Sequence, residues 1–153
     1  AAEGIFSLNA IEYAEHIYLF ECEKSWIQPL KETFKMFKDK VTIVEKYVSD
    51  VTEGDFITLD DFFCEGIPEN LFIKMDIEGF ERKALKGCKN IIAISNNVSG
   101  AICTYHKYDD ERVITAYFDN LNCKTSKTKG YVYNERELRN GVIRFQKNKL
   151  KTE

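Results

Sequence analysis

No stretch of the sequence is apolar over the length that a membrane-crossing helix needs, and none follows the charged, apolar, small-residue order of a secretory signal. Cysteine is present but unpaired in pattern. Cys22, Cys64, Cys88, Cys103 and Cys123 are odd in number, widely spaced and free of any Cys-x-x-Cys pair. That argues against structural zinc and against a disulfide framework. Reduced thiols in a cytoplasmic protein with no membrane partner are the expectation. Neither sign of charge dominates: the net value is −3, which lacks the electrostatic footprint of a nucleic-acid binder. The basic residues Arg136, Arg139, Arg144, Lys147, Lys149 and Lys151 read as a solvated strand edge and tail, since lysines also protect sheet edges from mispairing. Internal repeats and low-complexity segments are absent.

What is present suits one globular domain over 1–153, with 44% hydrophobic, 31% charged and 13% aromatic residues. Apolar periodicity predicts a helix from Glu3 to about Tyr13, a buried strand at His16–Phe20, and a helix from about Ser25 to Phe37. Pro29 is tolerable in that helix only if it lies in the first turn. Further strands are expected at Val41–Val48, Leu71–Met75 and Ser99–Tyr105. Helices are expected over Glu78–Ile94, broken near Gly87, and from an Asp109 cap through Leu121. Two late strands, Lys129–Tyr133 and Val142–Lys147, are expected to pair as an antiparallel hairpin. Alternating strand and helix imply a mostly parallel α/β sheet with helices on both faces, and ligands beyond the carboxyl ends of its strands.

Those ends carry the candidate chemistry. Glu21 can accept hydrogen bonds from a ribose, or it is a solvated strand-end residue; alone it does not decide. Ser49-Asp50 can contact an adenine, although turn chemistry is the stronger reading of the pair by itself. In Leu71-Phe72-Ile73-Lys74-Met75-Asp76-Ile77-Glu78-Gly79, an apolar strand runs into two carboxylates. Two residues apart on an extended chain, they point the same way. Gly79 frees the backbone for a tight entry into a helix whose first turn holds Glu81. Helix-entry chemistry explains Glu78 and Glu81 but not Asp76. His106 ends the next strand as a general base, a substrate contact or, the reading slightly preferred, a structural histidine.

Several blocks resemble, in order, the FkbM type of S-adenosylmethionine-dependent methyltransferase. They are Ala1-Ala2-Glu3-Gly4-Ile5-Phe6-Ser7-Leu8, Tyr18-Leu19-Phe20-Glu21, Thr58-Leu59-Asp60-Asp61-Phe62, Ile73-Lys74-Met75-Asp76-Ile77-Glu78-Gly79-Phe80-Glu81 and Leu85-Lys86-Gly87. The resemblance spans about 1–108, and its most specific part is Lys-x-Asp-x-Glu-Gly-x-Glu. It implies a Rossmann-like class I methyltransferase sheet of seven strands, ending in a reversed antiparallel hairpin. The first block resembles only the second half of a glycine-rich motif, so the family's first strand and loop-opening acid are expected upstream of Ala1. Cys22 stands where the family often has proline.

The resemblance also implies S-adenosylmethionine as methyl donor and O-methylation of a sugar or small metabolite. By position, Glu3, Gly4 and Phe6 would lie by the methionine portion, Glu21 on the ribose, Ser49 and Asp50 beside the adenine, and Asp76 near the methyl-transfer centre. The expected partner is a small-molecule or glycan acceptor, not nucleic acid. Asp76 or His106 would serve as base and Glu78 would orient the acceptor or hold the helix entry. No metal is assigned, because no second and third ligands are evident after the fourth strand. Two other classes stay open. A nicotinamide-dependent oxidoreductase should carry Gly-x-Gly-x-x-Gly, of which only Gly4 is visible. A non-catalytic module of the methyltransferase fold would lack cofactor binding.

Overall fold

The computed structural model describes residues 1–148; Lys149 and Lys151 of the basic tail lie outside them. In chain order the elements are α1 (Ile5–Ala10), β1 (Ile17–Phe20), α2 (Lys24–Thr33), β2 (Val41–Val44), β3 (Tyr47–Val48), β4 (Phe56–Ile57), α3 (Leu59–Phe62) and β5 (Asn70–Met75). There follow α4 (Glu81–Lys86), α5 (Lys89–Ile94), β6 (Asn97–Cys103), α6 (Asp110–Asp119), β7 (Lys124–Lys127), β8 (Tyr131–Asn134), β9 (Glu137–Asn140) and β10 (Val142–Asn148). The α/β class read from the alternation holds.

The main sheet has the order β5-β6-β10-β7, with β5 and β6 parallel and β10 antiparallel to both its neighbours. β1 and β2 form a separate parallel pair. Among the described residues no backbone ladder joins β1 to β5. Aromatic rings link the two parts instead. Tyr18 and Phe20 meet Phe62 edge-on at 5.2 and 5.0 Å between centroids, and Phe6 stacks on Phe72 at 6.1 Å. The larger core gathers Ile73, Met75, Ile92, Ile102, Ile114, Phe118, Ile143 and Phe145. Phe118 and Phe145 stack at 4.0 Å. Each such side chain contributes on the order of 1.5–3 kcal/mol by leaving water. A smaller core of Ile11, Leu19, Leu30, Phe34 and Val41 holds β1 and β2 to α2.

Several expectations are corrected. The terminal hairpin pairs differently: β10 pairs with Lys124–Lys127, a strand too polar to stand out, while Tyr131–Asn134 folds back on Glu137–Asn140. Pro29 lies inside α2, beyond its first turn, at the cost of one ladder hydrogen bond. Asp109 makes no side-chain cap; Asp110 instead accepts from Lys107 N–H at 2.7 Å and from Arg82 Nε at 2.6 Å. β5 is half-buried: Ile73 and Met75 face the core, but Phe72 does not. Arg139 belongs to no solvated edge. It is buried, and its Nη1 donates to the carbonyls of Tyr105 at 3.0 Å and His106 at 3.4 Å. The helical break near Gly87 is present, dividing α4 from α5.

The acidic side chains set the pH range of the fold. Lys127 and then Asn140 hold Glu111 below the ordinary carboxylate value of 4.5, and Arg82 holds Asp109 below 3.8. A group depressed on folding contributes stability that is complete above its unfolded value and lost as pH falls through its folded one. The melting temperature is therefore expected to be flat from pH 7 to about 5 and to drop below about 4.5. A thermal-melt series across pH checks this. Glu111→Gln should lessen the acid-side drop.

Candidate active site

The strand β5 ends at Met75, and the chain leaves it through Asp76, Ile77, Glu78 and Gly79 before α4 begins. The exit is a left-handed turn rather than extended chain, with Glu78 at φ 55° and Gly79 at φ 89°. The expected same-side projection along a strand therefore does not apply. The two carboxylates still converge, because both reach the ring of His106. Nε2 of His106 lies 3.6 Å from Asp76 Oδ1 and 3.6 Å from Glu78 Oε2. His106 follows the parallel neighbour β6, so the cluster sits at the carboxyl ends of two adjacent parallel strands.

The neighbours of Asp76 fix its position. Tyr105 donates its hydroxyl to Oδ1 at 2.9 Å, and Lys74 Nζ stands 3.7 Å from Oδ2. Burial, and then the bonded Asp76 carboxylate, push the Tyr105 phenol up, so it stays a donor at neutral pH. Asp76 itself is partly open to solvent, and Glu78 is at the rim with 89% of its side chain exposed. Glu81 is the residue that sequence reasoning underestimated. Expected as a helix-entry acid, it is fully buried, its Oε1 accepts from Ile77 N–H at 2.9 Å, and it stands 3.0 Å from His106 Nδ1. Its place four residues before Leu85 and Ala84's side of α4 was a signal, since both of those are core residues. Two further side chains of ligand type, Glu81 and His106, stand beside Asp76.

A second cluster surrounds Glu21, just past β1. The side chain is buried. Oε1 accepts from the backbone nitrogens of Cys22 and Glu23, both at 2.9 Å. Oε2 accepts from Ala2 N–H at 3.0 Å and pairs with the terminal amino group of Ala1 at 2.5 Å.

The match that places this architecture comes from sequence. The methyltransferase FkbM domain profile matches residues 20–133, three quarters of the chain and all of the Asp76 cluster. The chain belongs to the FkbM methyltransferase family. Solved structures agree in fold. A proposed RNA methyltransferase from Pyrococcus horikoshii superposes with a TM-score of 0.58 at 17% identity, covering 98% of this chain and 71% of its own. An rRNA methylase from Streptococcus thermophilus gives 0.61 at 6% identity, with 97% and 82% covered. A precorrin 8w decarboxylase from Methanobacterium thermoautotrophicum gives 0.54 at 11%, with 95% and 76% covered. Identities this low speak for fold alone. No curated protein sequence matches the chain.

The remaining expected site residues are dispersed around this frame. Ser49 is buried and donates its hydroxyl to Asp50 Oδ1 at 3.2 Å, leaving the exposed Asp50 carboxylate free to accept more. Gly4 is buried at φ 76°, Glu3 is exposed, and Phe6 lies against Phe72. No helix among the described residues is long and apolar enough to cross a membrane. All five cysteines are free thiols.

Proposed function

We propose that this FkbM domain transfers a methyl group from S-adenosylmethionine to a hydroxyl of a sugar or other small metabolite. The observation that carries the reading is the Asp76–His106–Tyr105 cluster at the carboxyl ends of parallel β5 and β6, inside the span matched by the family. The residues fit the cofactor in chemical type. Glu21 is a buried carboxylate held by backbone N–H groups and suited to a ribose, and Asp50 has acceptor capacity for an adenine amine. Glu21 accepts from a ribose in exchange for one of its backbone N–H donors, from Ala2, Cys22 or Glu23. Glu3, Gly4 and Phe6 are assigned to the methionine end by family position alone.

The bound cofactor supplies an electrophilic methyl on a sulfonium, which leaves with the S–C electron pair as the O–C bond forms. Displacement of this kind depends on alignment, so the chain's part is to place the acceptor oxygen and take its proton. Asp76, oriented by the Tyr105 hydroxyl, is the group placed to accept that proton, with His106 behind it. Glu78 at the rim orients the acceptor. Exposed Tyr108, Tyr131 and Tyr133 offer flat apolar faces to a sugar ring.

The test is transfer of label from isotopically labelled S-adenosylmethionine to a panel of glycosides and small hydroxyl compounds, with RNA in parallel. Label on a glycoside or small hydroxyl compound supports the reading. Label on RNA alone replaces the acceptor class, and the net charge of −3 makes that the less expected result.

A further inference from the structure

Three ligand-type side chains meet beyond β5 and β6. One ligand atom from each of Asp76, Glu81 and His106 can be chosen so that all lie within 4.8 Å of one another. They come from three different pieces of structure: the exit of β5, the first turn of α4, and the segment after β6. Two features distinguish this group from an ordinary acidic surface. Glu81 is 0% exposed, and its Oε2 has no hydrogen-bond partner. The His106 side chain is 10% exposed, and neither ring nitrogen has a hydrogen-bond partner. The 3.0 Å approach of Nδ1 to Glu81 Oε1 is close, yet not aligned as a hydrogen bond. A buried carboxylate oxygen and a buried imidazole left unsatisfied each cost free energy. A single cation between them would satisfy the carboxylate oxygen and one of the two ring nitrogens.

We propose that Asp76, Glu81 and His106 bind a divalent first-row metal ion. Around an ion with N and O ligands at ~2.0–2.2 Å, neighbouring donor atoms lie roughly 3–3.5 Å apart. The 3.6 Å between Nε2 of His106 and Asp76 Oδ1 is close to that spacing, and one ligand atom from each of the three residues can be chosen within 4.8 Å of the others. Two carboxylates and an imidazole suit zinc, manganese, iron or cobalt better than magnesium or calcium, which prefer oxygen alone. Three protein ligands leave an open side, and Glu78 stands at it, 3.6 Å from Nε2. An acceptor hydroxyl placed on that open side would ionise more readily. This last role rests on the methyl-transfer reading; binding of the ion does not.

The experiment strips the protein with EDTA, then titrates it with Zn²⁺ by calorimetry and with Co²⁺ by visible absorption. One ion per chain is expected, with a cobalt band that zinc abolishes. Glu81→Gln and Asp76→Asn should each weaken zinc binding by at least ~10-fold. Asp76 is partly exposed, so its variant keeps the test valid should the buried Glu81→Gln fail to fold. No stoichiometric uptake, or unchanged affinity in Asp76→Asn, overturns the proposal. Titration of the same metal-free protein with S-adenosylhomocysteine separates the two claims. Cofactor binding without zinc binding ends the metal site and leaves the methyltransferase reading. Zinc binding lost in Asp76→Asn, without cofactor binding, does the reverse.

Discussion

An Asp76→Ala variant is expected to lose methyl transfer, with kcat reduced by ~10²–10⁴-fold, while keeping its fold. Asp76 lies past the end of β5 and its side chain is 42% exposed, so no core contact goes with it. What is lost is the acceptor of the Tyr105 hydroxyl and the nearby charge for Lys74. Those contacts account for about 1 kcal/mol of stability. Initial rates and thermal melts on one preparation separate the two effects. Near wild-type turnover would remove Asp76 from the chemistry, whether as base or as metal ligand. Unchanged melting with lost turnover places it there.

Gly87→Ala is expected to cost stability on the order of 3 kcal/mol, which lowers the melting temperature by roughly 6–12 °C. Gly87 separates α4 from α5 with an ordinary φ, so its requirement is not conformational. It is spatial. A Cβ there would sit 1.9 Å from the Ser49 carbonyl oxygen and 3.2 Å from Thr58 Cβ. The Gly87 carbonyl also accepts from Asp60 N–H at 2.9 Å, so the helix junction cannot slide away freely. Relief must come from the Ser49–Asp50 segment. The variant should therefore also raise the KM for S-adenosylmethionine more than it lowers kcat. A melt within 1 °C of wild type would show that the junction yields at no cost.

The link between Gly87 and Ser49 shows which parts of this protein can be read from sequence. β5 was legible because a run with four apolar residues stops at a carboxylate, although only Ile73 and Met75 of them face the core. The α4–α5 break was legible because glycine interrupts an apolar period. Glu81 carried a signal of burial in its helical spacing from Ala84 and Leu85, but its partner His106 stands twenty-five positions further on and is brought back by β6. Arg139 misled in the same way. A guanidinium among basic neighbours reads as solvated, yet it pins the carbonyls of Tyr105 and His106, while Glu135 and Glu137 neutralise it. Strand β7 had no apolar period at all; it exists because β10 offers an edge to pair with. Periodicity reports burial of apolar groups. It is silent on polar groups buried against each other, as Glu81 and His106 are here.

The central claim is that Glu21 binds S-adenosylmethionine while Asp76, past β5, serves the methyl transfer. Calorimetric titration of the protein with S-adenosylhomocysteine tests it most directly. Micromolar, one-to-one binding is expected, weakened at least ~10-fold in Glu21→Gln, as loss of a charged hydrogen-bond acceptor implies. Absence of binding at millimolar ligand in a folded protein, or the same affinity in Glu21→Gln, would contradict the account.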